Sequence, residues 1–134
     1  MIGTLIVSHG NVAKAMIEAT QHIIGRSDFV DFYCVGWEET IQEAESKVNQ
    51  KIAELDMGDG VLLLTDMFGG TPTNVALSYS GDSKIEVITG VNLPMIMKAM
   101  TLSPDVSLYQ AARQLKEQAQ KAIYLTSELA GSST

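Results

Sequence analysis

Two short stretches of the sequence place a chemically active side chain where an apolar run gives way to a helical pattern. His9 comes directly after an apolar run over residues 2–8. The stretch TDMFGGTPTN at 65–74 has the same layout, because Asp66 follows the apolar run 61–65. A histidine that served only the core would lie inside an element rather than at its tip, so both positions are candidates for chemistry.

A histidine and an aspartate together can form a nucleophilic site. An imidazole attacks only through an unprotonated ring nitrogen, and a carboxylate that accepts a hydrogen bond from the other ring N–H fixes that tautomer. The carboxylate also stabilises the positive charge that develops on the ring during attack. Gly69, Gly70 and Thr71 lead into a helix, whose first backbone N–H groups and dipole favour an anion. His9 and Asp66, together with this anion-binding helix start, therefore predict a site that carries a phosphoryl group on histidine.

The elements that must position these residues alternate along the chain. Short β-branched runs are typical of buried parallel strands, and apolar residues at helical spacing predict helices between them. The predicted strands cover residues 2–8, 29–35, 61–65, 84–90 and 122–129. The predicted helices run from the Asn11 cap to Gly25, from Glu38 to Leu55, from a Thr71 cap with Pro72 in the first position, from Leu93 to Met100, and from about 104 to 121. Residues 131–134 are expected to form a frayed tail.

This alternation predicts an α/β fold with a doubly wound, mostly parallel sheet and helices on both faces. The flavodoxin-like strand order 2-1-3-4 fits the number of units, with the fifth strand at an edge. In this order strands 1 and 3 are neighbours, and ligands bind at the carboxyl ends of such strands, where the order reverses. His9 and Asp66 follow these two strands and are therefore expected to meet.

Length and charge limit the class of protein. The chain has 134 residues and a net charge of −7, with 46% hydrophobic residues, which fits one globular domain over residues 1–134. The negative charge argues against nucleic acid or an anionic membrane as the main partner, because both attract basic surfaces, and it favours a basic protein partner. One cysteine, Cys34, cannot form a disulfide within the chain, and neither a signal peptide nor a membrane span is evident. We therefore expect a cytoplasmic location.

Each candidate also has an ordinary structural interpretation. Asp66 could form only a turn after its strand, and the glycine pair only a tight entry into a helix. The segment is not a P-loop, because the Lys-Ser/Thr pair is missing, and no G-x-G-x-x-G occurs. His22 is expected to be an exposed residue near a helix C-terminus. Trp37 precedes two glutamates. The sequence favours neither of two alternatives for it: a place at the rim of the site or on a partner surface, or no function at all.

Three ordered motifs carry a resemblance to a known family: LIVSHG at 5–10, TDMFGGTPTN at 65–74 and ITGVNLPM at 88–95. Together they resemble the mannose-class enzyme IIA domain (EIIA-Man type, or type 4) of the bacterial phosphoenolpyruvate:sugar phosphotransferase system, across essentially the whole chain. One departure is Met67, since some members have a threonine there. No linker or IIB domain follows, so we expect a free-standing IIA protein.

The resemblance implies a role for each residue. His9 would accept a phosphoryl group from the phosphocarrier protein HPr and pass it to an enzyme IIB component during sugar uptake. Asp66 would orient the imidazole, and Thr71, beside Gly69 and Gly70, would contact the site. The resemblance further implies no metal or organic cofactor, a membrane link only through the transporter, and a homodimer in which a fifth, antiparallel strand is exchanged. The uncovered strand predicted at 122–129 is consistent with such an exchange.

Other functions stay open on the sequence alone. The same site could serve a regulatory phosphoprotein of an incomplete phosphotransferase system rather than sugar uptake. A small metal-dependent, chelatase-like enzyme is less favoured, because a metal site needs more ligands and His22 is predicted to lie far from His9. A histidine phosphatase or mutase is also less favoured, because its nucleophile usually follows an arginine and here Ser8 precedes His9.

Overall fold

The computed structural model describes residues 1–130, so the predicted tail at 131–134 lies outside the described residues. The strands are β1 (Gly3–His9), β2 (Val30–Val35), β3 (Val61–Thr65) and β4 (Ile85–Thr89). The helices are α1 (Val12–Ile24), α2 (Ile41–Leu55), α3 (Gly70–Leu77), α4 (Leu93–Met100), α5 (Leu108–Lys121) and α6 (Thr126–Ala130).

The four strands form one parallel sheet in the order β2-β1-β3-β4, which confirms the predicted topology. β1 pairs with β3 in the register Gly3↔Val61 to Val7↔Thr65, so both strands end at the same edge of the sheet. Every residue of β3 is buried, as expected for a strand that is covered on both faces. The sheet therefore brings the residues that follow β1 and β3 to one place.

Helices cover both faces of the sheet and bury two separate clusters. Along β1, Ile6 joins the cluster packed against α1, α4 and α5, whereas Leu5 and Val7 join the cluster packed against α2 and α3. This division follows from the alternation of side chains along a strand. It confirms the doubly wound α/β class. Within residues 1–130, no helix is both long and apolar enough to cross a membrane.

The predicted fifth strand at 122–129 is not formed in the single chain. Residues 122–125 belong to no helix or strand, and α6 follows them. The backbone N–H groups in this segment pair locally: that of Ile123 donates to Gln120 O at 3.4 Å and that of Glu128 to Leu125 O at 2.9 Å. A strand needs a neighbouring strand to satisfy its backbone, and the sheet described here places none beside this segment.

Candidate functional site

The carboxyl ends of β1 and β3 bring His9 and Asp66 into direct contact. His9 Nδ1 lies 2.9 Å from Asp66 Oδ2 and 3.1 Å from Oδ1. The backbone N–H of His9 also donates to Oδ2 at 2.9 Å, and that of Met67 donates to Oδ1 at 2.9 Å. One carboxylate therefore fixes both the main chain and the ring of the histidine.

The hydrogen bonds at this carboxylate keep it charged. Burial raises the pKa of Asp66, but the hydrogen bonds from the backbone and ring of His9, the attraction of the imidazole and the bond from Met67 together bring the pKa below its ordinary value. An ionised carboxylate only accepts hydrogen bonds, so Nδ1 of His9 is the donor. In the neutral imidazole the proton then resides on Nδ1, and Nε2 keeps its lone pair.

The free Nε2 atom of His9 lies against the start of α3. A Cβ atom at Gly70 would overlap Nε2, and the φ angle of Gly70 is 75°, in the region that favours glycine. Gly69, the N-cap of α3, has a φ angle of 128° and offers no side-chain cap. The glycine pair thus lets the helix N-terminus approach the ring closely, where its unpaired backbone N–H groups favour an anion.

The start of α3 differs from the sequence prediction. Thr71 was expected to be the N-cap and Pro72 the first helical residue, but the helix begins at Gly70 and includes both in its first turn. The positive φ angles of Gly69 and Gly70 show that the chain makes its turn into the helix at the glycine pair, before the threonine. Pro72 is tolerated there because the first helical N–H groups have no partner within the helix. Thr71 consequently lies in the turn that faces Nε2.

Thr73 is a site residue that the sequence analysis missed. Its buried hydroxyl accepts from the Gly69 N–H at 2.8 Å and donates to the Met67 carbonyl at 2.9 Å. The Thr65 hydroxyl also donates to that carbonyl, at 3.4 Å. These bonds hold the loop between Asp66 and α3. The available signal was a threonine four residues after a glycine, since such hydroxyls bond nearby backbone groups.

Ser8 is a second missed residue, and it replaces the predicted cap of α1. Asn11 occupies the N-cap position but makes no side-chain cap bond. Instead, the buried Ser8 hydroxyl accepts from the Ala13 N–H at 2.8 Å and donates to the Gly10 carbonyl at 3.1 Å. The residue before His9 therefore ties the end of β1 to the start of α1.

Trp37 lies beside the histidine on the side of β2. Its ring centroid is 6.3 Å from that of His9, with an interplanar angle of 31°. The indole rests directly on Gly10, where a Cβ atom would come within 2.9 Å of Cζ2. Trp37 nevertheless remains 81% exposed, so its free face points to solvent next to the imidazole.

The turn that carries Trp37 is held by a carboxylate. Glu39 accepts a hydrogen bond from the Gly36 N–H at 2.9 Å and another from the Tyr33 hydroxyl. The Glu39 N–H in turn donates to the Gly36 carbonyl at 3.1 Å. Burial and this nearby carboxylate raise the pKa of Tyr33, so its hydroxyl stays protonated and donating.

The second histidine of the chain lies apart from this edge. His22 is exposed on α1, with Nδ1 2.8 Å from the Glu18 carbonyl, and does not approach His9. Across residues 1–130, no group of three or more histidine, cysteine, aspartate or glutamate residues is placed to hold a metal ion.

The chain is similar to sugar phosphotransferase proteins over most of its length. A family model described as the PTS system fructose IIA component matches residues 3–123. The PTS system fructose-specific EIIA component of Bacillus subtilis is 30% identical, over 96% of this chain and 88% of that protein. The PTS system mannose-specific EIIAB component of Escherichia coli is 33% identical over 78% of this chain, which corresponds to 32% of that longer protein.

A solved structure shares the fold. The crystal structure of the PTS IIA protein associated with the fucose utilization operon from Streptococcus pneumoniae superposes with a TM-score of 0.83. It is 28% identical and covers 96% of this chain and 95% of that one.

Proposed function

This chain belongs to the family of PTS system fructose IIA components, and we propose that it carries a phosphoryl group on His9. The group arrives from phosphorylated HPr and leaves to an enzyme IIB component during sugar uptake, a step that we assign to the cytoplasm. The observation that supports this proposal best is the pairing of His9 Nδ1 with Asp66 at 2.9 Å, because it leaves Nε2 free beside the first turn of α3.

The transfer follows from this arrangement. The Nε2 lone pair attacks the phosphorus atom, and the bond from phosphorus to the donor atom breaks as the Nε2–P bond forms. The electron pair of the broken bond returns to the donor, and the Nδ1 proton stays in the hydrogen bond to Asp66. The ring becomes positively charged, and the carboxylate stabilises that charge. Transfer to the acceptor reverses these steps, so the protein mainly positions groups and stabilises charge.

The start of α3 binds the phosphoryl oxygens in this proposal. Gly69 and Gly70 permit the close approach, and the backbone N–H groups of Gly70 and Thr71 would donate to the anion, because Pro72 has no N–H and the Gly69 N–H already donates to Thr73. The Thr71 hydroxyl, in the same turn, adds a donor to a phosphoryl oxygen. The step needs no metal or organic cofactor, because the phosphohistidine of the donor is already activated.

Intact-mass analysis after incubation with phosphoenolpyruvate, enzyme I and HPr tests this proposal. The wild-type chain is expected to gain the mass of one phosphoryl group, and His9→Ala none. His22→Ala is the matched control and should gain the same mass as the wild type, because His22 lies apart from the site. Phosphorylation of His9→Ala, or none of the wild type, would overturn the assignment.

We further propose that two copies of the chain associate through their terminal segments. Within residues 1–130 no strand lies beside the outer edge of β4, and a groove of about 760 Å³ lies between β4 and α5, next to Ile123. Ile123, Tyr124 and Leu125 are exposed in the single chain. Placing residues 122–129 of one copy as an antiparallel strand on β4 of the other would cover both surfaces.

Light scattering on a chain truncated before Ala122 tests the association. We expect the full chain to be a dimer and the truncated chain to be less stable and to shift toward monomer or aggregate. A truncated chain that remains a well-folded dimer would show that the segment does not join the two copies.

A further inference from the structure

We propose that the Ser8 hydroxyl positions His9 for phosphoryl transfer by fixing the chain immediately after it. This inference rests on the proposed function, because it concerns the same reaction. The hydroxyl of Ser8 donates to the Gly10 carbonyl at 3.1 Å and accepts from the Ala13 N–H at 2.8 Å. Both bonds go to the backbone rather than to the reacting atoms, so Ser8 is a positioning residue that acts through the chain carrying the imidazole.

Gly10, the residue after His9, is the point where this chain could move most easily. Its φ angle is 52°, and glycine has more conformational freedom to lose on folding than any other residue. A side chain cannot stiffen this position, because a Cβ atom at Gly10 would come within 2.9 Å of Cζ2 of Trp37. A hydrogen bond to the Gly10 carbonyl restrains the same residue without needing that space.

Three successive backbone groups around the histidine are held by three different partners. The first two bonds fix the chain as far as the peptide group that follows the histidine, and the third fixes the next peptide group. Of the three partners, one belongs to the reacting pair, one is backbone of β2, and one is a side chain with no part in the chemistry. In chain order, the His9 N–H donates to Asp66 at 2.9 Å, the Gly10 N–H donates to the Val35 carbonyl at 3.0 Å, and the Gly10 carbonyl accepts from Ser8.

The site tolerates little movement of the imidazole. A Cβ atom at Gly70 would overlap Nε2 of His9 and come within 3.1 Å of Cε1, so the ring lies directly against the backbone at the start of α3. Misplacing reacting groups by about 1 Å can lower a rate by about 10²-fold. A hydroxyl that restrains the chain just after His9 therefore acts on the rate of the chemical step.

The end of β3 repeats this arrangement at the other reacting residue. Thr65 precedes Asp66, and its hydroxyl donates to the carbonyl of Met67 at 3.4 Å. Ser8 has the same relation to His9, and both hydroxyl-bearing residues are buried. The recurrence beside both members of the reacting pair favours a role in the site over an ordinary local hydrogen bond.

Single-turnover transfer from phosphorylated HPr, measured over a range of donor concentrations, tests this role. We expect Ser8→Ala to lower the rate at saturating donor by about 10-fold, because the released turn displaces the ring by less than the about 1 Å that costs about 10²-fold. The half-saturating donor concentration should stay as in the wild type, because Ser8 is buried and cannot touch a donor protein. Phosphoramidate, a small donor, should show the same loss of rate. A change in the half-saturating concentration alone would contradict the proposal.

Two variants of the same shape isolate the hydroxyl. Ser8→Thr and Ser8→Val add the same branch to the strand, so any overpacking is common to both, and only threonine keeps the hydroxyl. We expect Ser8→Thr to transfer at least about 5-fold faster than Ser8→Val at saturating donor. This comparison also decides the matter if Ser8→Ala does not fold, since β-branched residues favour a strand. Equal rates for the two variants would refute the role of the hydroxyl.

Thr20→Val is the matched control for the loss of a buried hydroxyl. Thr20 is buried on α1, where its hydroxyl donates to the Ile17 carbonyl at 2.9 Å, about two turns beyond Ala13. Its exchange should leave the rate at saturation as in the wild type. An equal loss of rate in Thr20→Val would show that lower stability alone slows transfer, and Ser8 would then have no positioning role.

The proposed function and the role of Ser8 fail in different ways. A Ser8→Ala protein that is folded by circular dichroism and transfers at the wild-type rate would overturn the positioning role while His9 remained the phosphoryl carrier. If the wild type gained no phosphoryl mass from either donor, the proposed function itself would fail.

Discussion

Asp66→Asn tests how the carboxylate makes His9 a nucleophile. In the wild type, the Asp66 carboxylate accepts hydrogen bonds from three donors: the His9 backbone N–H, the His9 ring and the Met67 backbone N–H. An asparagine has only one oxygen at this place. If the oxygen accepts the hydrogen bonds from His9, the NH₂ group lies against the Met67 N–H, which loses its acceptor. If the NH₂ group lies next to His9 instead, the backbone N–H of His9 loses its acceptor, and the ring must accept at Nδ1, so that its proton moves to Nε2.

Both orientations of the asparagine remove the negative charge, and one of them also selects the unreactive tautomer. A related exchange in a serine protease triad lowers the rate by about 10⁴-fold through the wrong tautomer. Here the ring is itself the nucleophile and one orientation keeps it reactive, so we expect a smaller loss of about 10²-fold or more. The lost charge-assisted bonds should also lower the free energy of unfolding by about 1.5–3 kcal/mol.

Quench-flow transfer from phosphorylated HPr measures this rate, and circular dichroism checks the fold. Asp31→Asn is the matched control: Asp31 pairs with Lys51 at 2.9 Å on the edge strand β2, so the same exchange should leave the transfer rate as in the wild type. A folded Asp66→Asn protein that transfers at the wild-type rate would refute the reasoning and reduce Asp66 to a turn residue.

The remaining predictions concern the loop, the helix start and pH. Thr73→Val should lower the free energy of unfolding by about 1–3 kcal/mol in denaturant titration, because it leaves the Gly69 N–H without its partner. Thr4→Val should be neutral or stabilising, because the buried Thr4 hydroxyl has no hydrogen-bond partner within residues 1–130, and equal effects of the two exchanges would contradict this reasoning. Gly70→Ala should abolish the gain of phosphoryl mass seen by intact-mass analysis, because the added Cβ atom would overlap Nε2 of His9. Gly81→Ala should retain this gain, because Gly81 has a similar φ angle but open space around the Cβ position. The pKa of Asp66 is lowered in the folded state, so its contribution to stability is present above about pH 4 and is lost as the pH falls through the folded-state pKa. The difference in the free energy of unfolding between the wild type and Asp66→Asn should therefore shrink between about pH 5 and pH 2. A difference that stays constant over this range would contradict the last of these.

The fold could be predicted from the sequence because its strongest signals are local and repeated. The apolar run of β3 is typical of a strand covered on both faces, and the apolar stripe Ala44, Val48, Ile52 and Leu55 of α2 is typical of a helix packed on one face. The alternation of strands and helices predicted a parallel sheet, and the number of units fitted the order 2-1-3-4, which the structure confirms. The roles of His9, Asp66, Gly69, Gly70 and Thr71 stay predictions, although the structure places them at one edge of the sheet.

The terminal segment shows where local patterns cannot decide. Residues 122–129 contain β-branched and aromatic residues that favour a strand, yet the single chain forms a short helix at Thr126–Ala130. A strand is stabilised by the strand beside it, and that neighbour is not part of the sequence pattern of the segment itself. The prediction therefore depended on a partner edge, which a second copy of the chain would supply in the proposed dimer.

The buried hydroxyls explain why the two site-shaping residues were missed. Within residues 1–130, the buried polar side chains are all serine or threonine: Thr4, Ser8, Thr20, Thr65 and Thr73. Serine and threonine hydroxyls bond to nearby backbone groups in many contexts, so their types alone do not mark a site. Three of the five bond to carbonyls of Gly10 or Met67, one residue after His9 or Asp66. The sequence shows which residues can react, and the register of β1 and β3 brings them together. The hydroxyl hydrogen bonds that hold the backbone just beyond each strand become visible only when the chain is folded.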